Sequence, residues 1–372
     1  MPKRLRLPHL LLILAIALLA ACTASQSGTT PPPDPTGAIT NPPAPTAAPT
    51  TAPDDSPTAT PVPASPVLGL VTSVDPDPTL ALETSTTLEQ AAATHGWQIR
   101  SATNPDAAAA IADLLAPNLQ LLILLGQDLT DLTVETAQAN PTLPIIAIDQ
   151  PLATDLPNVY VVGGPVNHYD EIGLVAGMFA GFATTTRNVG SLAPDNDLAG
   201  RTYQSAFLHG LRLACGECTH WPIALPDYAS TSDGQAAIPR LTAAAVDALL
   251  IAPGPAGETA LTTAAEQGLL VSLAGRDLAA ENPALAELAL PAAVPTVAPA
   301  LAAALDQFAA TGNLPTTPTP YSFTYATLRL TALTTTAITP GEYSYVQEII
   351  GQLASGALQT GIDRSTGLPE SP

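Results

Sequence analysis

The sequence predicts two doubly wound α/β lobes, each built on a parallel sheet, behind an N-terminal arm that does not fold. Three observations predict it. From residue 67 onward, short apolar runs alternate with helix-length stretches. Those runs lack an apolar/polar alternation, as expected of strands covered on both faces. The alternation falls into two blocks, divided near residues 165–185 by a glycine-striped helix, whereas residues 23–66 carry no apolar period.

The arm comes first. Lys3, Arg4 and Arg6 precede the apolar run LLLILAIALLAA and then Cys22. A basic start followed by a short apolar stretch is a secretory signal pattern, here residues 1–21. Its end, Leu19-Ala20-Ala21-Cys22, resembles the lipobox of bacterial lipoproteins. That resemblance implies cleavage before Cys22 and lipidation of its thiol. An ordinary signal peptide with a chance cysteine is the competing reading. Residues 22–66 are rich in Pro, Thr and Ala and read as a disordered linker, since such a composition cannot bury enough surface to fold.

Residues 67–372 are enough for two lobes. The first is expected over about 67–165 with C-terminal elements returning to it, the second over about 166–290. The chain carries a formal charge of −21. Losing Lys3, Arg4 and Arg6 with the signal, and no acid, takes it to −24. No lysine then remains. Such a balance speaks against nucleic acid as a partner.

The elements follow in order. VLGLVTSV (67–74) reads as a strand, 79–94 as a helix, WQIRSA as a strand and 105–115 as a helix. LQLLILL is a buried strand, 128–138 a helix, PIIAID (144–149) and NVYVVGG (158–164) strands. The striped helix, 170–185, holds Gly173, Gly177 and Gly181. Its apolar run is too short for a membrane span, which needs roughly 20 residues. Glycines at that spacing instead let a neighbouring strand or helix approach closely. The second block reads as strand 188–193, helix 198–213, strand 221–225, helix 232–244, strand 247–253, helix 256–267 and strand 269–275. A helix at 296–310, a strand region YSFTYATLRLTAL and a helix at 343–357 close the chain.

Ligands of open α/β sheets sit beyond the carboxyl ends of the strands. The loops there are DPDP, GQD, DQP, PDND, PGPAG and GRD, and five of the six contain aspartate. Aspartates in such loops accept hydrogen bonds from hydroxyls or pair with cations. They also cap helices and make turns without touching any ligand. From these loops Asp75, Gly126, Asp149, Asp195, Gly254 and Asp277 are the candidate ligand-binding residues.

Several blocks are similar to a known family. LLILLGQDLTDLTVETAQANPTLPIIAIDQPLATDLPNVYVV is followed by GLVAGMFAGFATTTRNVGSLAP, DALLIAPGPAGETALTTAAEQGLLVSLAGRD and IIGQLASGALQTGIDRSTGLP. Together they resemble the basic membrane lipoprotein family, the PnrA-like nucleoside-binding lipoproteins among the type I periplasmic binding proteins. The resemblance implies a lipid-anchored solute receptor on the extracytoplasmic face of the cell membrane. It hands its ligand to the membrane permease of an ABC transporter. It places Asp149 at sugar hydroxyls, and the striped helix at a crossover, packed against the second sheet. The chain departs from the family after the first strand, where VDPDPTLALE lacks the family's Phe and Asn. Gly275 stands where the family has an aspartate, and the family's lysine has no counterpart.

The remaining constellations point away from catalysis. Cys215 and Cys218 in CGEC are expected to form a disulfide in an exported protein, although such a spacing also serves redox pairs. His220 nearby makes only three zinc ligands, short of a closed structural site. Gly254-Pro255-Ala256-Gly257 opens a helix but lacks the P-loop lysine and spacing. His168 sits at the crossover, as a helix-start residue or facing the cleft. The chain is therefore expected to be a non-catalytic receptor for a small polar molecule, without metal or other cofactor. A sensory module that signals to a membrane partner is the alternative, and a hydrolase on this scaffold is a weaker third.

Overall fold

The computed structural model describes residues 65–74, 77–103, 106–115, 119–152, 156–164 and 167–370. The signal segment, Cys22, the linker up to residue 64 and Asp75 lie outside the described residues.

The first sheet holds β1 (Val67–Thr72), β2 (Gln98–Thr103), β3 (Leu119–Leu125), β4 (Ile145–Ile148) and β5 (Val159–Val162). All pair in parallel, in the order β2-β1-β3-β4-β5. Helices α1 (Pro78–His95), α2 (Ala107–Leu114) and α3 (Thr130–Ala139) connect them. Strand β3 shows why the apolar runs are unbroken. Leu121, Ile123 and Leu125 enter the core on one face, Leu122 and Leu124 the core on the other. None of the five is more than 1% exposed.

After α4 (Tyr169–Ala183) comes the second sheet, of β6 (Asn188–Pro194), β7 (Thr219–Leu225), β8 (Ala248–Ile251) and β9 (Leu270–Leu273). It is also parallel, in the order β7-β6-β8-β9, with connecting helices α5 (Leu198–Ala214), α6 (Thr231–Ala243) and α7 (Pro255–Glu266). In both sheets the order reverses beside the first strand, leaving a crevice at the carboxyl ends.

The glycine stripe of α4 meets a helix. A β-carbon on Gly177 would lie 2.0 Å from the carbonyl oxygen of Phe207 on α5, and one on Gly173 2.6 Å from that of Tyr203. Gly210 of α5 reciprocates against the Leu174 carbonyl, at 1.9 Å. Backbone thus touches backbone, which any side chain would prevent. The expectation of packing against the second sheet holds for other residues of α4, which contact β8 and β9; the stripe itself is taken by α5. Among the described residues, no helix is long and apolar enough to cross a membrane.

Beyond β9 come α8 (Leu278–Glu281), β10 (Ala293–Pro295) and α9 (Ala298–Thr311), which packs on α1. Strand β11 (Leu328–Leu330) pairs antiparallel with β10. Helix α10 (Pro340–Ala354) lies on α4, and the hairpin β12 (Ile362–Asp363)–β13 (Leu368–Pro369) lies on α5. The expected strand YSFTYATLRLTAL is mostly not one. It holds a 3₁₀ turn at Phe323–Tyr325 and only the three residues of β11. Ala326 takes a positive φ of 55°, and the Thr327 hydroxyl donates to the Pro320 carbonyl.

The chain passes between the lobes three times, around residues 163–168, 290–297 and 320–331. A buried ionic knot at the start of α4 pins the first and third of these passages. Asp170 accepts from Arg364 Nε at 3.1 Å and from the Thr360 hydroxyl. Glu171 accepts from Ser322 Oγ at 3.0 Å and the Phe323 amide at 2.7 Å, with His168 Nδ1 at 2.7 Å. Both carboxylates sit in the first turn of α4, where the helix dipole favours them. His168 is therefore a helix-start residue bound to Glu171.

Candidate functional site

The strand ends open onto a cavity of about 510 Å³ between the two sheets. The first lobe lines it with Asp77, Leu80, Gln127 and Asp149. The second contributes Asp197, Ala199, Tyr203, Tyr228, Gly254, Gly275 and Arg276. Asn167, Tyr169, Ile172, Pro295 and Tyr321 enter from α4 and the crossovers.

Two of the three carboxylates in the wall also hold helices. Asp77 caps α1, accepting from the amides of Thr79 at 2.8 Å and Leu80 at 3.0 Å. Asp197 caps α5, accepting from the Gly200 amide at 3.1 Å and from the Tyr228 hydroxyl at 2.7 Å. Asp149 differs. It follows β4 with a left-handed φ of 54°, a conformation that Asp and Asn tolerate better than most residues. Among the described residues, its side chain has only the amide of Gln127, at 3.5 Å. Burial pushes its pKa up to about 6, the Gln127 amide pulls the other way, and the charge of Asp77 adds to the rise.

Four of the protein's eight tyrosines line this one cavity. Tyr169 and Tyr203 meet edge to face, with ring centres 5.3 Å apart. Tyr321 is 3% exposed, and its hydroxyl has no hydrogen-bond partner. Its ring lies where a β-carbon on Gly163 would be, 2.5 Å from Cζ, and Gly163 itself turns at φ 75°. Burial raises the pKa of Tyr169, Tyr203, Tyr228 and Tyr321. For Tyr169, Tyr203 and Tyr321 the charge of Asp149 contributes to the rise. Among the described residues Arg276 is the one guanidinium in the wall, and Glu258 and Glu281 clasp it.

Asp149 and Gly254 thus line the cavity. Gly126 lines a shallower depression beside it, which shares Asp77, Gln127 and Asp149 with the main cavity. Asp195 is not on the cavity wall; its carbonyl accepts from Arg201. Asp277 caps α8 and lies 3.9 Å from Arg329, also off the wall. Asp77, Asp197 and the four tyrosines were not among the expected site residues. The two aspartates were legible as residues that open helices. The tyrosines come from positions 169, 203, 228 and 321, and only the folded chain brings them together. Away from the cavity, Cys215 and Cys218 are joined by a disulfide, and His220 turns to Ser191 at 2.8 Å.

No protein-family model matches the chain, and no curated protein matches it. Solved structures do. An ABC transporter solute-binding protein from Conexibacter woesei superposes with a TM-score of 0.62 at 16% identity, covering 79% of this chain and 98% of that one. A second, from Aeropyrum pernix, gives 0.56 at 14%, covering 81% and 95%. A transcriptional activator of the comK gene from Bacillus halodurans gives 0.63 at 13%, covering 78% and 99%. At these identities the likeness speaks for the fold. Two lobes on parallel sheets of five and four strands, with a cavity at their strand ends, are the fold of the type I periplasmic binding proteins.

Proposed function

We propose that this chain is a lipid-anchored, extracytoplasmic solute-binding protein of an ABC-type importer, which closes its two lobes on one small polar molecule. The observation that carries this reading is the cavity itself. Both lobes and the crossovers wall it, so a ligand touching Asp149 on one side and Tyr228 on the other couples binding to lobe closure. Two structural neighbours named as ABC solute-binding proteins use the same scaffold. The anchor rests on the sequence before Cys22. The resemblance to nucleoside-binding lipoproteins makes a nucleoside the first ligand to test, with Asp149 facing its sugar hydroxyls. Gly126, Asp195, Asp277 and Asp75 remain proposed contacts of a bound or closed state.

A second reading has its own observation. The scaffold also serves a transcriptional activator, so a sensory module that passes its ligand signal to a membrane partner uses the same cleft. Two experiments test the proposal. The Cys22→Ser variant is expected to leave the membrane fraction; continued fractionation with membranes contradicts the anchor. Calorimetric titration with nucleosides, sugars, amines and amino acids is expected to give one-to-one binding by at least one class. Failure of every class contradicts the receptor reading.

A further inference from the structure

We infer that the ligand of this cleft carries a protonated amine, which docks on the Asp149 carboxylate. The inference rests on the solute-binding reading above and puts an amine, in place of a nucleoside's sugar hydroxyls, at Asp149. Three observations carry it.

First, the wall is acidic, and its only cation among the described residues is already engaged. Asp77, Asp149 and Asp197 face the cavity, and Arg276 opposite them is held by Glu258 and Glu281. An anionic ligand would meet uncompensated carboxylates. Second, the three carboxylates differ in what they lack. Asp77 and Asp197 each accept from two donors, whereas Asp149 has one long bond from Gln127. A half-buried carboxylate with so little support is stabilised by any cation that reaches it. Third, Tyr321 brings a buried hydroxyl without a partner to the same wall. A buried polar group in that state is costly, and a ligand that pairs with it recovers the cost. An ammonium group brings the opposite charge to Asp149 as well as hydrogen bonds; an uncharged hydroxyl can pair with Asp149 and Tyr321 but leaves the charge of Asp149 uncompensated. The faces of tyrosine rings in the wall also attract cations.

Several charged and polar groups line the same cleft as Asp149. They are Asp77 at the start of α1, Gln127 and Asp128 beyond β3, Tyr169 on α4, Tyr203 and Asp197 on α5, and Tyr321 on the third crossover. Asp149 keeps its proton up to a pH of about 6 in the empty cleft. A bound ammonium favours the carboxylate and expels that proton.

The test is calorimetry on the full chain with matched pairs: diamines, alkylamines and amino alcohols, each beside its uncharged hydroxyl counterpart, such as putrescine beside 1,4-butanediol. At least one amine is expected to bind, and at least tenfold more tightly than its counterpart. Binding near pH 6 should release a proton, read as a heat that changes with the ionisation enthalpy of the buffer. Asp149→Asn should weaken the amine about 10- to 150-fold, and Tyr321→Phe about 2- to 12-fold. Asp149→Asn should not weaken the uncharged partner comparably. If an uncharged or anionic compound binds and no amine does, the amine inference is overturned while the receptor reading stands. If no compound of any class binds, both fall. Equal binding of amine and counterpart also overturns the inference.

Discussion

Gly177→Ala is the substitution whose cost can be worked from the structure. The added β-carbon would sit 2.0 Å from the Phe207 carbonyl oxygen and 2.8 Å from the Leu211 nitrogen. Both are backbone atoms of α5, so no rotamer change relieves the contact. Restoring a separation of at least about 3 Å requires α4 and α5 to part by about 1 Å. A gap of that size forfeits roughly a quarter to a half of the dispersion energy at the affected contacts. Overpacking of a core typically costs about 1–3 kcal/mol, and a clash against backbone belongs at the upper end. Alanine returns about 0.8–1.0 kcal/mol of helix propensity. The net loss is about 2 kcal/mol, a fall in Tm of about 4–8 °C.

Gly351 in α10 is the control, because a β-carbon there would meet nothing within 4 Å. Gly351→Ala should gain about 0.5–1 kcal/mol and raise Tm by a few degrees. Thermal unfolding followed by circular dichroism reads both. If the two variants shift in the same direction, the glycine stripe is not a backbone contact surface and the placement of α5 on α4 is wrong.

Two further outcomes follow from the ionisable and covalent groups. The folded pKa of Asp149, about 6, lies above the ordinary 3.8, so between roughly pH 4 and 6 the folded state holds a proton that the unfolded chain has lost. Its contribution therefore makes stability fall as pH rises through that window, by up to about 3 kcal/mol, and stay flat above it. Asp149→Asn removes this component and tolerates the same positive φ; identical pH–stability curves for the two proteins would show that Asp149 is not desolvated. The Cys215–Cys218 bond closes a four-residue loop, so Cys218→Ser should cost only about 2 kcal/mol on the chain-entropy estimate. Alkylation of the unfolded, unreduced protein should find neither thiol free.

The architecture was legible because the central strands of both sheets are covered on both faces. A strand such as LQLLILL feeds two cores at once, so it has no polar face to blur its ends, and β3 runs over the residues expected of it. YSFTYATLRLTAL misled for the opposite reason. Its aromatic and β-branched residues favour a strand, but the segment is a crossover. The bonds of Glu171 to Ser322 and Phe323 fold it into a turn. α8, β10, β12 and β13 are too short to show a period.

The site was half legible. Asp149 and Gly254 stand at strand ends, where ligands of such sheets are expected. Of the loops DPDP and PDND it is the second aspartates, Asp77 and Asp197, that reach the cavity wall. Helix capping fixes those side chains at the helix start and aims them along the crevice. No local signal marks the tyrosines, whose role depends on the lobes and crossovers converging.

The claim that the cleft holds a small solute is tested most directly by native mass spectrometry of the protein purified without unfolding. Ala199 lines the cavity at the start of α5, and Ala199→Trp should fill it. The wild-type protein is expected to carry a one-to-one, non-covalent adduct of a few hundred daltons, or to acquire one from a cell extract, and the Ala199→Trp variant to carry none. A wild-type protein that never binds such an adduct, or a filled variant that binds it equally well, would contradict the account.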